Sequence, residues 1–132
     1  MGTRSFVGVM VGDKCRAIYV HWDGYLEGVG RDLQSYKTQA EVEKLISYGD
    51  RSSLDGGYYK DRGEDDVEPR DYDSFDEFYD ACEGSWCDYY YIFKDGVWYC
   101  GNTFGSTLLH KKLHTYEQAL GIQAIKHTLE DA

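Results

Sequence analysis

The chain has 132 residues, 42% of them apolar, and a formal net charge of −10. This length suffices for one domain, residues 1–132, whose buried core needs neither a metal nor disulfides. The acidic balance disfavours direct binding to nucleic acid or to an anionic membrane, because both require clustered lysine and arginine. No apolar run approaches the roughly 18 residues that a membrane span needs. Since no signal-peptide pattern opens the sequence, we expect a cytoplasmic protein.

The first predicted element is a β-hairpin. Ser5–Val11 and Cys15–Trp22 read as antiparallel strands joined by a short glycine-containing turn. An antiparallel hairpin brings its two far ends together. We therefore expect Arg4 to lie near His21 and Asp23. There its guanidinium would either bind a ligand phosphate or form an ion pair with the Asp23 carboxylate.

Residues 21–30, which we call the bend, combine two aromatic rings, a histidine, two carboxylates and three glycines. Glycine costs roughly 0.5–1 kcal/mol relative to alanine inside a helix or strand, so this composition favours a turn or a binding surface. The bend leads into a first helix, predicted over about Val29–Tyr36. Gly28 and Gly30 near its start predict free backbone N–H groups beside the positive end of the helix dipole, which is an anion site. The alternative is a tight strand-to-helix turn without a ligand.

Three more helices are predicted. Two capping boxes, each a serine or threonine followed three residues later by glutamate, place helix starts at Gln39 and Phe75. We expect the first of these helices to run to about Tyr48 and the second to Cys82. Apolar spacing predicts a final helix over about Tyr116–Leu129.

A second hairpin pairs Tyr89–Phe93 with Val97–Tyr99 around the strong turn signal Asp95-Gly96. Together the elements predict an α+β fold. Its antiparallel sheet has about four to five strands built from two hairpins, and three to four helices pack on one face. The tyrosine-rich second face would then need cover, which favours a homo-oligomer.

The segment 50–73 is predicted to be loop, with an acidic insertion around 55–73. Between residues 55 and 88 there are thirteen acidic and three basic side chains, a net of −10, which equals the net charge of the whole chain. Such a segment keeps a chain soluble or imitates a nucleic-acid backbone. Arg62 stands among these carboxylates, either as solvated loop charge or aimed at a ligand.

Metal and cofactor chemistry have little support in the sequence. The four cysteines show no metal-binding spacing and are expected to be reduced thiols. His110 and His114 have a helical i, i+4 spacing, but no glutamate accompanies them, and Lys111 and Lys112 lie between them. We expect no metal and no cofactor.

Four motifs together resemble a known group of proteins. They are Gly2-Thr3-Arg4-Ser5, the run from Tyr19 to Gly30 with His21-Trp22-Asp23-Gly24-Tyr25 inside it, Gly49-Asp50-x-Ser52-Ser53-Leu54 and Asp61-Arg62-Gly63-Glu64. The set is similar to that of small, mostly uncharacterised proteins encoded by bacterial viruses and prophages, and it covers the first half of the chain. The resemblance implies no established activity. It does imply a setting in the host cytoplasm, where such proteins often counter host defence.

The functional hypothesis is sequestration of a nucleotide-derived immune signal, of the cyclic ADP-ribose or cyclic dinucleotide type. Trp22 or Tyr25 would stack on a base. Asp23 or Asp50 would accept hydrogen bonds from ribose hydroxyls. The ligand would be a small nucleotide.

The phosphates of that ligand would be held by arginines, hydroxyls and the bend amides. The full set of candidate ligand-binding residues is Thr3, Arg4, Ser5, His21, Trp22, Asp23, Tyr25, Gly28, Gly30, Asp50, Ser52, Ser53 and Arg62.

Two alternatives remain open, one at the same site and one on the acidic segment. In the first, His21 beside Asp23 is the acid or base of a metal-independent phosphodiesterase that cleaves such a signal. In the second, the acidic segment 55–88 imitates nucleic acid and occupies the basic groove of a host protein. A binding protein is the favoured interpretation, because no catalytic signature accompanies His21.

Overall fold

The computed structural model describes residues 3–51, 54, 68–85, 87–102 and 114–121, and within them the fold is α+β. The strands are β1 (Ser5–Val11), β2 (Lys14–Val20), β3 (Arg70–Tyr72), β4 (Tyr89–Lys94), β5 (Val97–Asn102) and β6 (His114–Thr115). The helical segments are a π-helical turn (Leu26–Gly30), α1 (Arg31–Leu33), α2 (Gln39–Ser47) and α3 (Phe75–Gly84), followed by a helix at residues 116–121.

The strands form one mixed sheet in the order β3-β2-β1-β4-β5-β6. The two predicted hairpins, β1–β2 and β4–β5, are confirmed, and they join side by side through β1 and β4. This junction is parallel, with Ser5 opposite Tyr89 and Val9 opposite Phe93. The predicted four- to five-stranded antiparallel sheet is therefore wrong. A parallel pair needs a long crossover connection, and the chain from the bend through α3 supplies it.

The strand β3 corrects a second prediction, because it lies within the segment 50–73 that was expected to be loop. It pairs antiparallel with β2, with Ala17 opposite Arg70. Three residues, two of them charged, carry little of the apolar alternation that identifies a strand in a sequence. Its charged side chains help to hold it at the β2 edge, since Asp71 lies 3.5 Å from Arg16 of β2 and Arg70 lies 2.9 Å from Asp50.

Helices pack on both faces of the sheet, which corrects the prediction of helices on one face. One core cluster joins alternate residues of the central strands, such as Val7 and Val9, to α2, and the other joins Phe6 to α3. The four consecutive β4 residues 90–93 are all buried, as expected of a strand covered on both sides. Helix α3 thus covers the tyrosine-rich face whose exposure favoured a homo-oligomer.

The local signals that start and end elements are confirmed. The Thr38 hydroxyl accepts the Glu41 backbone N–H at 3.2 Å, and the Ser74 hydroxyl accepts that of Glu77 at 3.2 Å. The β4–β5 turn has positive φ angles at both Asp95 (51°) and Gly96 (82°), as a type I′ turn requires. In the final helix Ala119 is buried, and positions beyond 121 lie outside the described residues.

The helices of the described ranges are too short and too polar to cross a bilayer.

Candidate functional site

The bend is pressed tightly against the start of β1. The Gly24 N–H donates to the Thr3 carbonyl at 2.8 Å, and a Cβ at Gly24 would lie only 2.7 Å from that oxygen. Asp23 adopts a left-handed conformation with φ of 58°, which reverses the chain after β2. The buried Tyr91 hydroxyl donates to the Gly24 carbonyl at 2.6 Å. The bend is therefore held from both β1 and β4.

The backbone amides of the bend bind its own carbonyls, which corrects the predicted anion site. The Gly28 N–H donates to the Tyr25 carbonyl at 3.0 Å, and the Val29 N–H donates to the Asp23 carbonyl at 2.7 Å. The Gly30 N–H donates to the Tyr25 carbonyl at 3.4 Å. The sequence indicated a regular helix start with unpaired N–H groups. In the π-helical turn these N–H groups instead donate to carbonyls of the bend.

The two candidate glycines serve packing. A Cβ at Gly28 would lie 2.2 Å from the Asp23 carbonyl oxygen, so only glycine lets the turn close there. Gly30 is buried, and a Cβ on it would come within 3.1 Å of the Tyr91 and Tyr116 rings. Neither glycine offers a backbone amide to a phosphate.

A cavity of about 240 Å³ opens beside the bend. Its aromatic walls are Trp22 and Tyr25, which are 45% and 39% exposed and are two of the four exposed large apolar side chains among the described residues. The Tyr25 hydroxyl donates to Asp23 Oδ1 at 3.3 Å, and the nearby Asp23 charge is the main reason that the pKa of Tyr25 is raised. The described residues that line it are Trp22, Asp23, Tyr25, Glu27, Gly28, Val29, Arg31, Asp32 and Leu54.

Sequence reasoning identified the aromatic walls, Asp23 and Gly28, and it missed the charged side chains that follow. Glu27 and Arg31 are four residues apart, and Asp32 comes next. The i, i+4 spacing is the signal that could have found them, because it puts two side chains on one face of a helical segment. The described residues thus give the cavity three carboxylates and one guanidinium.

Arg4 and His21 are neighbours across the hairpin, as the pairing of Ser5 with Val20 requires, but neither lines the cavity. The His21 Nδ1 atom is 2.7 Å from the Tyr19 hydroxyl, and its ring meets the Trp22 ring edge-on with centroids 4.5 Å apart. Arg4 is exposed, and its carbonyl accepts the N–H groups that open β4. The expected cluster of Arg4, His21 and Asp23 is therefore split between the hairpin end and the cavity.

The remaining candidate residues at the start of β1 are structural in this arrangement. Ser5 is fully buried, and its hydroxyl lies 3.5 Å from the Val20 carbonyl. Thr3 contributes its carbonyl to the Gly24 N–H. Both hold the hairpin end closed against the bend.

Asp50 belongs to a separate network that sequence reasoning missed. Its carboxylate accepts hydrogen bonds from both terminal nitrogens of Arg70, at 2.9 to 3.1 Å, and from the Tyr19 N–H at 2.8 Å. The Arg70 guanidinium also lies 5.4 Å from the centre of the Phe6 ring. Nothing in the sequence distinguishes Arg70 from the other charges of its segment. Ser52, Ser53 and Arg62 lie outside the described residues.

A second cavity of about 450 Å³ lies at the end of the β4–β5 hairpin and contains none of the predicted site residues. The Trp98 indole N–H donates to the Tyr36 carbonyl at 2.9 Å on its floor. Its lining is Gln34, Tyr36, Lys37, Phe93, Gly96, Val97, Trp98, Thr115, Tyr116 and Glu117.

The described residues that line the two cavities include no histidine and no cysteine. The His21 ring forms its one hydrogen bond among the described residues with Tyr19 rather than with a carboxylate. Burial raises the pKa of the Cys15, Cys87 and Cys100 thiols to about 12, so they are poor nucleophiles. In the ranges that the structure describes, no three His, Cys, Asp or Glu side chains converge as metal ligands.

The chain matches no family model, and neither a curated protein nor a solved structure is significantly similar to it.

Proposed function

We propose that this protein binds a small nucleoside-containing ligand in the bend cavity and acts by sequestering it. The observation that carries the proposal is the pair of exposed aromatic rings, Trp22 and Tyr25, at a polar cavity. Tryptophan and tyrosine are enriched at binding interfaces, and a base that stacks on an aromatic ring gains about 1–3 kcal/mol. The resemblance to viral proteins suggests that the ligand is an immune signal of the host.

The size of the cavity limits what enters it. Pockets that enclose a drug-sized ligand measure roughly 300–1,000 Å³. The bend cavity, at about 240 Å³, is smaller, so it takes one nucleoside-sized part of a ligand. A cyclic dinucleotide or a cyclic ADP-ribose derivative would place one nucleoside there and its remaining atoms outside.

The test is calorimetry with a panel of nucleotides, cyclic dinucleotides and cyclic ADP-ribose derivatives. We expect binding to at least one of them, and we expect Trp22→Ala to weaken it by about tenfold or more, the loss of one stacking contact. Val11→Ala is the control, because Val11 is also exposed (51%) but lies at the far end of β1. Absence of heat with the whole panel, or an equal effect of both substitutions, would contradict the proposal. Chromatography of recovered ligand separates sequestration from cleavage.

A second candidate function, inhibition of a nucleic-acid-binding protein, is supported by α3. Asp76, Asp80 and Glu83 are exposed on this helix, and their i, i+4, i+7 spacing puts them on one face. They place three charges over about 10 Å of helix axis, whereas duplex DNA carries about six over that length. The lower charge density makes this the weaker candidate. Its test is displacement of duplex DNA from basic DNA-binding proteins, which neutralising these three residues would abolish.

A further inference from the structure

We infer that the bend cavity recognises the ribose of its ligand through Asp23 and leaves phosphate groups outside. This inference rests on the proposed function and specifies the part of the ligand that the site recognises. The cavity and its two aromatic walls define the site, and the charges around it determine its selectivity. Three observations support the inference: the bend amides are already used, carboxylates outnumber cations in the lining, and Asp23 is open to a ligand.

The described residues of the lining offer a phosphate few donors. The amides of Gly28, Val29 and Gly30 already donate to carbonyls of the bend. Among the described lining residues, the one guanidinium belongs to Arg31, whose side chain is 71% exposed and whose Nε lies 3.9 Å from an Asp32 oxygen. A phosphate binds tightly where charge-assisted donors surround it, and the described part of the lining holds no such set.

The lining carboxylates disfavour the binding of an anionic group in the cavity. Asp23, Glu27 and Asp32 give it a formal charge of −3 against +1 from Arg31. Like charges at short range repel, and they do so more strongly in a partly enclosed cavity than in open water. Hydroxyl and amino groups of a nucleoside can donate hydrogen bonds to the same carboxylates. The lining therefore favours the uncharged part of a nucleotide.

Asp23 is the carboxylate best placed to accept such donors. It is exposed in the lining, and its Oδ1 accepts the Tyr25 hydroxyl, which fixes the carboxylate next to an aromatic wall. A carboxylate has about four acceptor positions on its two oxygens, so capacity remains after that bond. The 2′-hydroxyl of a ribose can donate to such a carboxylate, as in dinucleotide sites where an acidic residue binds that hydroxyl.

The experiment measures dissociation constants for the four common ribonucleosides, their 2′-deoxy forms and their 5′-monophosphates. For the ribonucleoside that binds best, we expect the deoxy form to bind about tenfold more weakly, the loss of one hydrogen bond to a charged group. We expect the monophosphate to bind no more tightly than the nucleoside. Asp23→Asn should weaken the ribonucleoside to the level of the deoxy form.

Asp95→Asn is the matched control, because Asp95 is also exposed in a left-handed turn (φ 51°) but lies at the β4–β5 turn. Asparagine tolerates this backbone conformation, so both variants should fold. If Asp23→Asn lowers stability, the relative affinity of the unmodified protein for the ribonucleoside and its 2′-deoxy form still tests whether the cavity recognises ribose. A monophosphate that binds tenfold more tightly, or equal binding of ribose and deoxyribose, overturns the inference alone. Absence of binding by every compound, cyclic nucleotides included, overturns the proposed function as well.

Discussion

Removing one hydroxyl group, by Tyr91→Phe, tests whether the bend depends on β4. The Tyr91 hydroxyl donates to the buried Gly24 carbonyl at 2.6 Å, and the same ring packs against Gly30. One side chain thus contacts the bend at both Gly24 and Gly30. Burial raises the pKa of Tyr91 well above its usual value, in agreement with a hydroxyl enclosed in the core. The substitution keeps the ring and its packing but deletes the donor.

The expected fall in the free energy of unfolding follows because Tyr91→Phe leaves the Gly24 carbonyl without its hydrogen-bond donor. A typical hydrogen bond contributes only about 0.5–1.5 kcal/mol net, but a buried group left without its partner costs about 1–3 kcal/mol. Because the carbonyl is buried, we expect a fall of about 1–3 kcal/mol in the free energy of unfolding. For a domain of this size that lowers Tm by about 3–10 °C.

Urea denaturation followed by circular dichroism measures this change, and an unaltered m value shows that the unfolding transition itself is unchanged. Tyr99→Phe is the control, because Tyr99 lies on the adjacent strand β5 and is only partly buried. The change should also alter the fluorescence of Trp22, since the bend carries that ring. A loss below about 0.5 kcal/mol, no larger than that of the control, would refute the argument that β4 holds the bend.

Two further predictions concern the bend and the core. Gly28→Ala should lower stability and weaken ligand binding, because its Cβ would lie 2.2 Å from the Asp23 carbonyl oxygen, whereas Gly84→Ala, with open space around it, should leave both unchanged or slightly raise helix stability. Burial raises the pKa of the Cys15 and Cys100 thiols from 9.0 to about 12, so the unfolded chain loses protons first and the free energy of unfolding should fall as pH rises from about 9 to 12. Denaturation at neutral and alkaline pH measures this, and rapid reaction of the native thiols with a thiol reagent at neutral pH would contradict it.

The local elements were predictable because their signals lie within a few residues. The turn at Asp95-Gly96 and the capping serine and threonine act on their own backbone neighbours, so their effect is the same in any fold. The hairpin pairing that places Arg4 beside His21 follows equally from a short connection.

The long-range arrangement was not predictable from those signals. The parallel pairing of β1 with β4 joins residues 84 positions apart, and no residue in either strand encodes it locally. The bend amides illustrate the same limit at shorter range. Whether the Val29 N–H points to a ligand or to the Asp23 carbonyl depends on a π-helical turn, and the glycine pattern is equally compatible with both.

The contact of Arg70 with Asp50 has an evolutionary consequence. These two residues join the two ends of the connection between positions 50 and 70, and the Arg70 guanidinium lies over the Phe6 ring. Once both ends of a connection are fastened, doubling its length costs only about 0.6 kcal/mol. A lineage could therefore lengthen, shorten or recharge the part of this connection beyond Leu54, which lines the bend cavity, while the sheet and the bend stay intact. In a set of homologous sequences, variation should accumulate there first, and Asp50 and Arg70 should change only together.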